Sequence, residues 1–153
     1  MSVKNTILLL LLLGGLIPAF AQEKKLDDLK SWIGKYPSDK GQDFFHLPEI
    51  QKPLKELLSR SDFRHLTKEL TLETPIECVK NYLIIEVSKE HCSPCDNAMV
   101  VINLEDSTIF VGFYKFNKGS SVIRWFSSKD DCDYYELPKE ILDEFLYMHE
   151  PKQ

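Results

Sequence analysis

The chain has 153 residues, with 19 basic and 24 acidic side chains and a formal net charge of −5 at pH 7. That balance argues against a nucleic-acid partner, which needs a basic face to neutralise phosphates. It suits a cationic protein partner through complementary steering.

Residues 1–21 read as a signal peptide. Lys4 is the positive n-region, Ile7 to Leu13 the apolar h-region, and Ala19-Phe20-Ala21 a small-x-small cleavage site. The apolar run is short for a membrane span, and no cysteine follows it to carry a lipid anchor. The expectation is an exported protein, periplasmic or secreted, that starts at Gln22 and makes no membrane contact after cleavage. What remains is residues 22–153, the size of a single domain with its own core.

Glu23 to Ile33 reads as a short helix with Leu26, Leu29 and Ile33 on one face, stopped by Gly34 and Pro37. Phe44 to Leu58 is a second helical region with a stripe of Leu47, Ile50, Leu54, Leu57 and Leu58. Pro48 suits a first helical position. Pro53 removes a backbone donor, so the helix either kinks there or begins late. Ser61 or Asp62 can cap a third helix carrying Phe63, Leu66 and Leu70. Core packing accounts for all three stripes.

From Ile76 the chain turns β-branched and aromatic. The expected strands are Ile76 to Val79, Tyr82 to Val87, Asn97 to Leu104, Thr108 to Lys115 and Val122 to Ser127. Their turns fall at Lys80-Asn81, at the cysteine loop Lys89 to Asn97, at Glu105 to Ser107 and at Asn117-Lys118-Gly119. Met99 to Ile102 are all apolar, as in a strand covered on both faces. Lys129 to Asp133 is a polar, solvated loop. Leu137-Pro138 then opens a final helix with Ile141, Leu142 and Phe145 turned inward. The fold class is α+β: an antiparallel five-stranded meander packed by N-terminal helices and a C-terminal helix.

Four cysteines remain after the leader: Cys78, Cys92, Cys95 and Cys132. An even count in an exported chain points to disulfides before metal. Strand direction puts Cys78 and Cys132 at one end of the meander and Cys92 and Cys95 at the other. Cys92–Cys95 with Cys78–Cys132 therefore needs the least rearrangement. The second bond must still cross from one sheet edge to the other, roughly 19 Å at about 4.8 Å per strand. A disulfide needs Cα atoms within about 7 Å.

Cys92-Ser93-Pro94-Cys95 also has the spacing of thiol–disulfide oxidoreductases, with His91 as a neighbour that favours a thiolate. In those proteins the motif opens a helix, whereas a strand follows it here. His46, His65, His91 and His149 are scattered without metal-ligand spacing, so no metal site and no cofactor are expected. No hydrolase or phosphate-binding signature is present either.

The strand Tyr82 to Val87, the loop Glu90 to Asn97, the strand Ala98 to Leu104 and the strand Ile109 to Tyr114 with Gly112 resemble the family of periplasmic inhibitors of vertebrate-type lysozyme. Similarity extends from Trp32-Ile33-Gly34-Lys35-Tyr36-Pro37 through Trp125-Phe126 to the Leu137-Pro138 helix. The resemblance implies an antiparallel sheet flanked by helices, and no enzymatic activity. It also implies a disulfide-pinched loop of pattern Cys-x-x-His-x-Cys whose histidine meets the carboxylates of a lysozyme cleft. Aligned on Cys95, the family's first cysteine falls on Glu90 and its histidine on Ser93. His91, just outside the shortened ring, is the residue available to substitute.

The expectation is therefore an exported, lysozyme-inhibitor-like binding protein. Glu90, His91, Cys92, Ser93, Pro94, Cys95 and Asp96 would meet a protein partner, which the resemblance makes a c-type lysozyme. The alternatives are a periplasmic thiol–disulfide protein acting through Cys92 and Cys95, and an accessory binding domain for another ligand.

Overall fold

The computed structural model describes residues 28–92, 95–130 and 133–149. The expected leader, residues 1–21, lies outside them. The chain divides into two units, Met1–Ser31 and Trp32–Gln153. Of the expected first helix, Glu23 to Ile33, residues 28–30 are helical and residues 31–33 form a turn, which shortens it, while residues 23–27 lie outside the described residues.

Gly34, at φ +79°, ends the opening turn, and its N–H donates to Ile76 O at 2.8 Å. Ile76 N–H returns a bond to Lys35 O at 2.8 Å, so this segment is tied to the start of the sheet. A 3-10 turn at Phe44–His46 is capped by the Asp43 carboxylate and buries Phe44 and Phe45. Helix α1 spans Pro48–Leu57, with Pro48 at its N-terminus and Pro53 inside it. Of the two expected outcomes at Pro53, the late start is the one not observed. The helix begins at Pro48 and runs on through Pro53, with Ile50 and Leu54 buried.

Helix α2 covers Arg60–Arg64, and a π-helical turn, His65–Glu69, continues it. The expected cap at Ser61 or Asp62 is corrected to Ser59. Its extended backbone lets its hydroxyl accept from Asp62 N at 3.1 Å.

The sheet has six strands: β1 Leu72–Glu73, β2 Glu77–Val79, β3 Tyr82–Ser88, β4 Asp96–Asn103, β5 Ile109–Asn117 and β6 Ser120–Ser127. All pairings are antiparallel. From β2 to β6 it is the expected meander. The added strand, β1, pairs with the Val87–Ser88 end of β3, while β2 pairs with the Tyr82–Ile84 end. Pro75 between them has no N–H to give to a ladder, so one edge strand becomes two.

Both faces of the sheet are covered. Met99 to Ile102 are all buried, as their unbroken apolar run implied, and so is Ala98. One face carries Leu83, Ile85, Val100, Val111 and Phe113. The ring of His65 lies 6.0 Å from Phe113, which puts the α2 segment over this face. The other face packs Ile84, Met99, Val101, Phe110 and Tyr114 against Leu137, Ile141, Leu142 and Phe145. The last three belong to helix α3, Lys139–His149, whose first turn closes on Pro138 O.

Gly112 is needed at this second face. A Cβ placed there would lie 2.8 Å from the Trp125 ring. That ring is stacked on Tyr134 at 5.4 Å and meets Phe145 edge-on at 5.1 Å, so it has little room to retreat. Gly112→Ala is expected to destabilise the fold by about 1–3 kcal/mol, the usual range for overpacking. Urea unfolding measures the loss. An unchanged midpoint would show that the indole can slide away freely.

Candidate functional site

The loop between β3 and β4 leaves one end of the sheet. Ser88 and Asn97 are the last paired residues, and Lys89 N–H donates to Asp96 O at 2.9 Å to close the neck. Inside it, Cys92 N–H donates to Lys89 O at 3.0 Å, and Asp96 N–H donates to Cys92 O at 3.1 Å. Cys92 and Cys95 form a disulfide with their Cα atoms 5.3 Å apart. On the far side Phe116 N–H donates to Cys95 O at 2.7 Å, extending the β4–β5 ladder into the loop. The loop is thus a short braced projection, held by backbone bonds on both limbs.

His91 sits at φ +62°, a left-handed conformation uncommon outside glycine. Its side chain is 91% exposed, and Nε2 lies 3.6 Å from Glu90 Oε1. Glu90 and His91 are therefore presented at the surface. Ser93 and Pro94, the other expected contact residues between the cysteines, lie outside the described residues.

Asp96 is different. It was expected among the contact residues, but it is 4% exposed and faces the helical layer. Its Oδ1 lies 2.8 Å from His65 Nε2, and His65 Nδ1 lies 2.9 Å from Glu69 Oε2. Both imidazole nitrogens of His65 thus lie within hydrogen-bonding distance of a carboxyl oxygen. The hydrogen bond from His65 holds the Glu69 carboxyl below its ordinary value.

A second cross-link runs beside the first. Arg124 Nη2 donates to Asp62 Oδ1 at 2.7 Å, and Nη1 reaches Oδ2 at 3.4 Å. The guanidinium also lies over the rings of Phe113 and Phe126, at 5.4 and 5.6 Å. Its hydrogen bond to Asp62 is the main reason that carboxyl is held below its ordinary value. Between the two links lies an open groove of about 580 Å³. Asp62, His65 and Glu69 line it on one side, and Asp96, Lys115 and Arg124 on the other.

None of His65, Glu69, Asp62 and Arg124 was expected at a site: Asp62 was read as a helix cap and His65 as one of four scattered histidines, and the signal that could have found a pair is the i, i+4 spacing of His65 and Glu69. Cys78 carries a free, exposed thiol whose Sγ donates to Lys80 O at 3.4 Å. Its expected partner, Cys132, lies outside the described residues.

A braced loop at the end of an antiparallel sheet with helices on both faces is the arrangement the family resemblance implied. The sequence profile of the family described as inhibitor of vertebrate lysozyme (Ivy) matches residues 49–151, about two thirds of the chain. The chain belongs to this family. It is accordingly a lysozyme-inhibitor-like protein, in a family of inhibitors rather than enzymes. The matched span runs from the first turn of α1 through the sheet and α3, so it takes in the loop and both cross-links. No curated protein and no solved structure matches the chain.

The two depressed carboxyls set an acid limit on the fold. Their folded values lie below the ordinary 3.8 of Asp62 and 4.5 of Glu69. Each contribution is complete above the unfolded value and is lost as the pH falls through the folded one. The melting temperature should therefore fall below about pH 4, and Asp62→Asn should flatten that acid limb while lowering stability at neutral pH. A melting series across the acid range checks this. An identical acid limb in the variant would remove Asp62 as a contributor.

Proposed function

We propose that the protein is exported and inhibits a c-type lysozyme by placing the cysteine loop in the enzyme's cleft. The observation that carries this reading is the exposed Glu90-His91 pair on a loop braced by the Cys92–Cys95 disulfide and by backbone bonds on both limbs. A retaining glycosidase holds its two carboxyl groups about 5–5.5 Å apart across the scissile bond. An imidazole delivered there by a rigid loop can donate to them. A loop already ordered gives up little entropy on docking. The expected contact residues Cys92, Ser93, Pro94 and Cys95 follow His91 directly in the sequence. Asp96 serves from within, as an anchor of the loop's second limb.

The thiol–disulfide alternative has less support, because Cys95 leads into β4 and not into a helix whose N-terminus would stabilise a thiolate.

The test is to express the full chain in a Gram-negative host, purify it from the periplasm and assay it against c-type and goose-type lysozymes. The purified chain should have the mass of one beginning at Gln22. Stoichiometric inhibition of the c-type enzyme is expected. His91→Ala should weaken it about tenfold or more, the loss of one charge-assisted hydrogen bond. Unchanged inhibition in the variant would take the contact away from His91. No inhibition at micromolar protein would end the lysozyme reading.

A further inference from the structure

One residue ties the loop to the rest of the molecule in two ways. The backbone of Asp96 closes the neck, accepting from Lys89 N at 2.9 Å and donating to Cys92 O at 3.1 Å. Its side chain points into the fold, against His65 Nε2 at 2.8 Å. The next six residues of β4 include five buried apolar side chains, Ala98 to Ile102, so a carboxylate is an expensive way to begin this strand. What it gains is a directional link to a side chain 31 positions earlier in the chain. His65 is itself fixed by Glu69 Oε2 at 2.9 Å and by the ring of Phe113 at 6.0 Å.

We propose that His65 is a positioning residue for the cysteine loop. It holds the Asp96 carboxylate and, through the Asp96 backbone, fixes the orientation of the second limb and of the Cys92–Cys95 pair. Glu69 holds the imidazole in place, and Arg64, whose Nε lies 3.3 Å from Glu69 Oε1, steadies Glu69. Without the imidazole, the buried carboxylate turns toward water and draws the neck of the loop with it. The loop then still exists but is no longer pre-ordered, and its disulfide becomes more accessible to an attacking thiolate.

The effect on inhibition rests on the function proposed above; the effect on the disulfide does not. The experiment reads both in wild type, His65→Leu and His65→Gln, each first shown to be folded by near-ultraviolet circular dichroism. One readout is the rate at which dithiothreitol reduces Cys92–Cys95, and the other is the inhibition constant against a c-type lysozyme. His65→Leu should speed reduction and weaken inhibition, each about tenfold, equivalent to roughly 1.4 kcal/mol of lost ordering. His65→Gln, whose amide can still donate to Asp96, should recover most of both. If His65→Leu does not fold, Asp96→Ala, which removes the acceptor, takes its place, with faster reduction expected. Reduction at the wild-type rate in His65→Leu or its replacement would overturn the proposal, as would a glutamine variant as impaired as the leucine one. Faster reduction in a protein whose wild type does not inhibit lysozyme would uphold the positioning role and reject the lysozyme reading alone.

Discussion

The pairing of β3 with β4 is the constraint on which the rest depends. It runs through seven consecutive residue pairs, from Tyr82 and Asn103 to Ser88 and Asn97. Because side chains alternate, a slip of one residue would exchange the two faces of β4. Val100 and Ile102 would leave the helical side, Met99 and Val101 would leave the α3 side, and Asp96 would turn away from His65. Apolar cover on both faces makes that slip costly everywhere along the strand. The register therefore fixes where the loop starts and ends before any disulfide forms. The disulfide pinches only its tip.

The same register gives the acidic groups of the two central strands different surroundings. Glu86, on the α3 side, is raised above its ordinary value by burial and then by the nearby Glu144 and Glu77. Asp96, on the helical side, is met by His65 across 2.8 Å. The first carboxyl is tolerated at a partly covered position; the second is built in. Together with the bidentate Arg124–Asp62 link, the His65–Asp96 contact joins the helical layer to the sheet at the end from which the loop projects. Directional polar contacts suit that place, because apolar packing alone would let the α2 segment shift over the sheet.

Much of this architecture was legible in the sequence because it rests on local pattern. The strands follow from alternation and apolar runs. The turns at Lys80, Ser107 and Lys118-Gly119 follow from turn-forming residues, and all four adopt the positive φ such turns use. The less legible parts depend on distance. Ser59 became the cap because its backbone is extended where the chain leaves α1, and Ser61 looked as suitable by composition. The π-helical turn has no propensity signature. β1 is two residues long and exists only because the far end of β3 offers an edge. Asp96 read as a loop residue by its neighbours Cys95 and Asn97, and its burial becomes evident only when the β4 register and a histidine 31 residues away are both known.

The shortened ring changes how a histidine can be presented. In the pattern that the resemblance implied, the histidine lies between the cysteines, where the ring itself would aim it. Here the residue available is His91, one position before Cys92, and the ring cannot aim it. The backbone does so instead. Its φ of +62° turns the chain sharply before the disulfide and leaves the imidazole almost wholly in solvent. A left-handed conformation at a side chain other than glycine, asparagine or aspartate costs about 1 kcal/mol or more and persists only where its surroundings impose it. Those surroundings are the bonds from Cys92 N to Lys89 O on one side and from Asp96 N to Cys92 O on the other. The second of these runs through the residue that His65 holds. The turn at His91 thus lies between backbone bonds that start from the β3–β4 register on one limb and from Asp96, the residue in contact with His65, on the other.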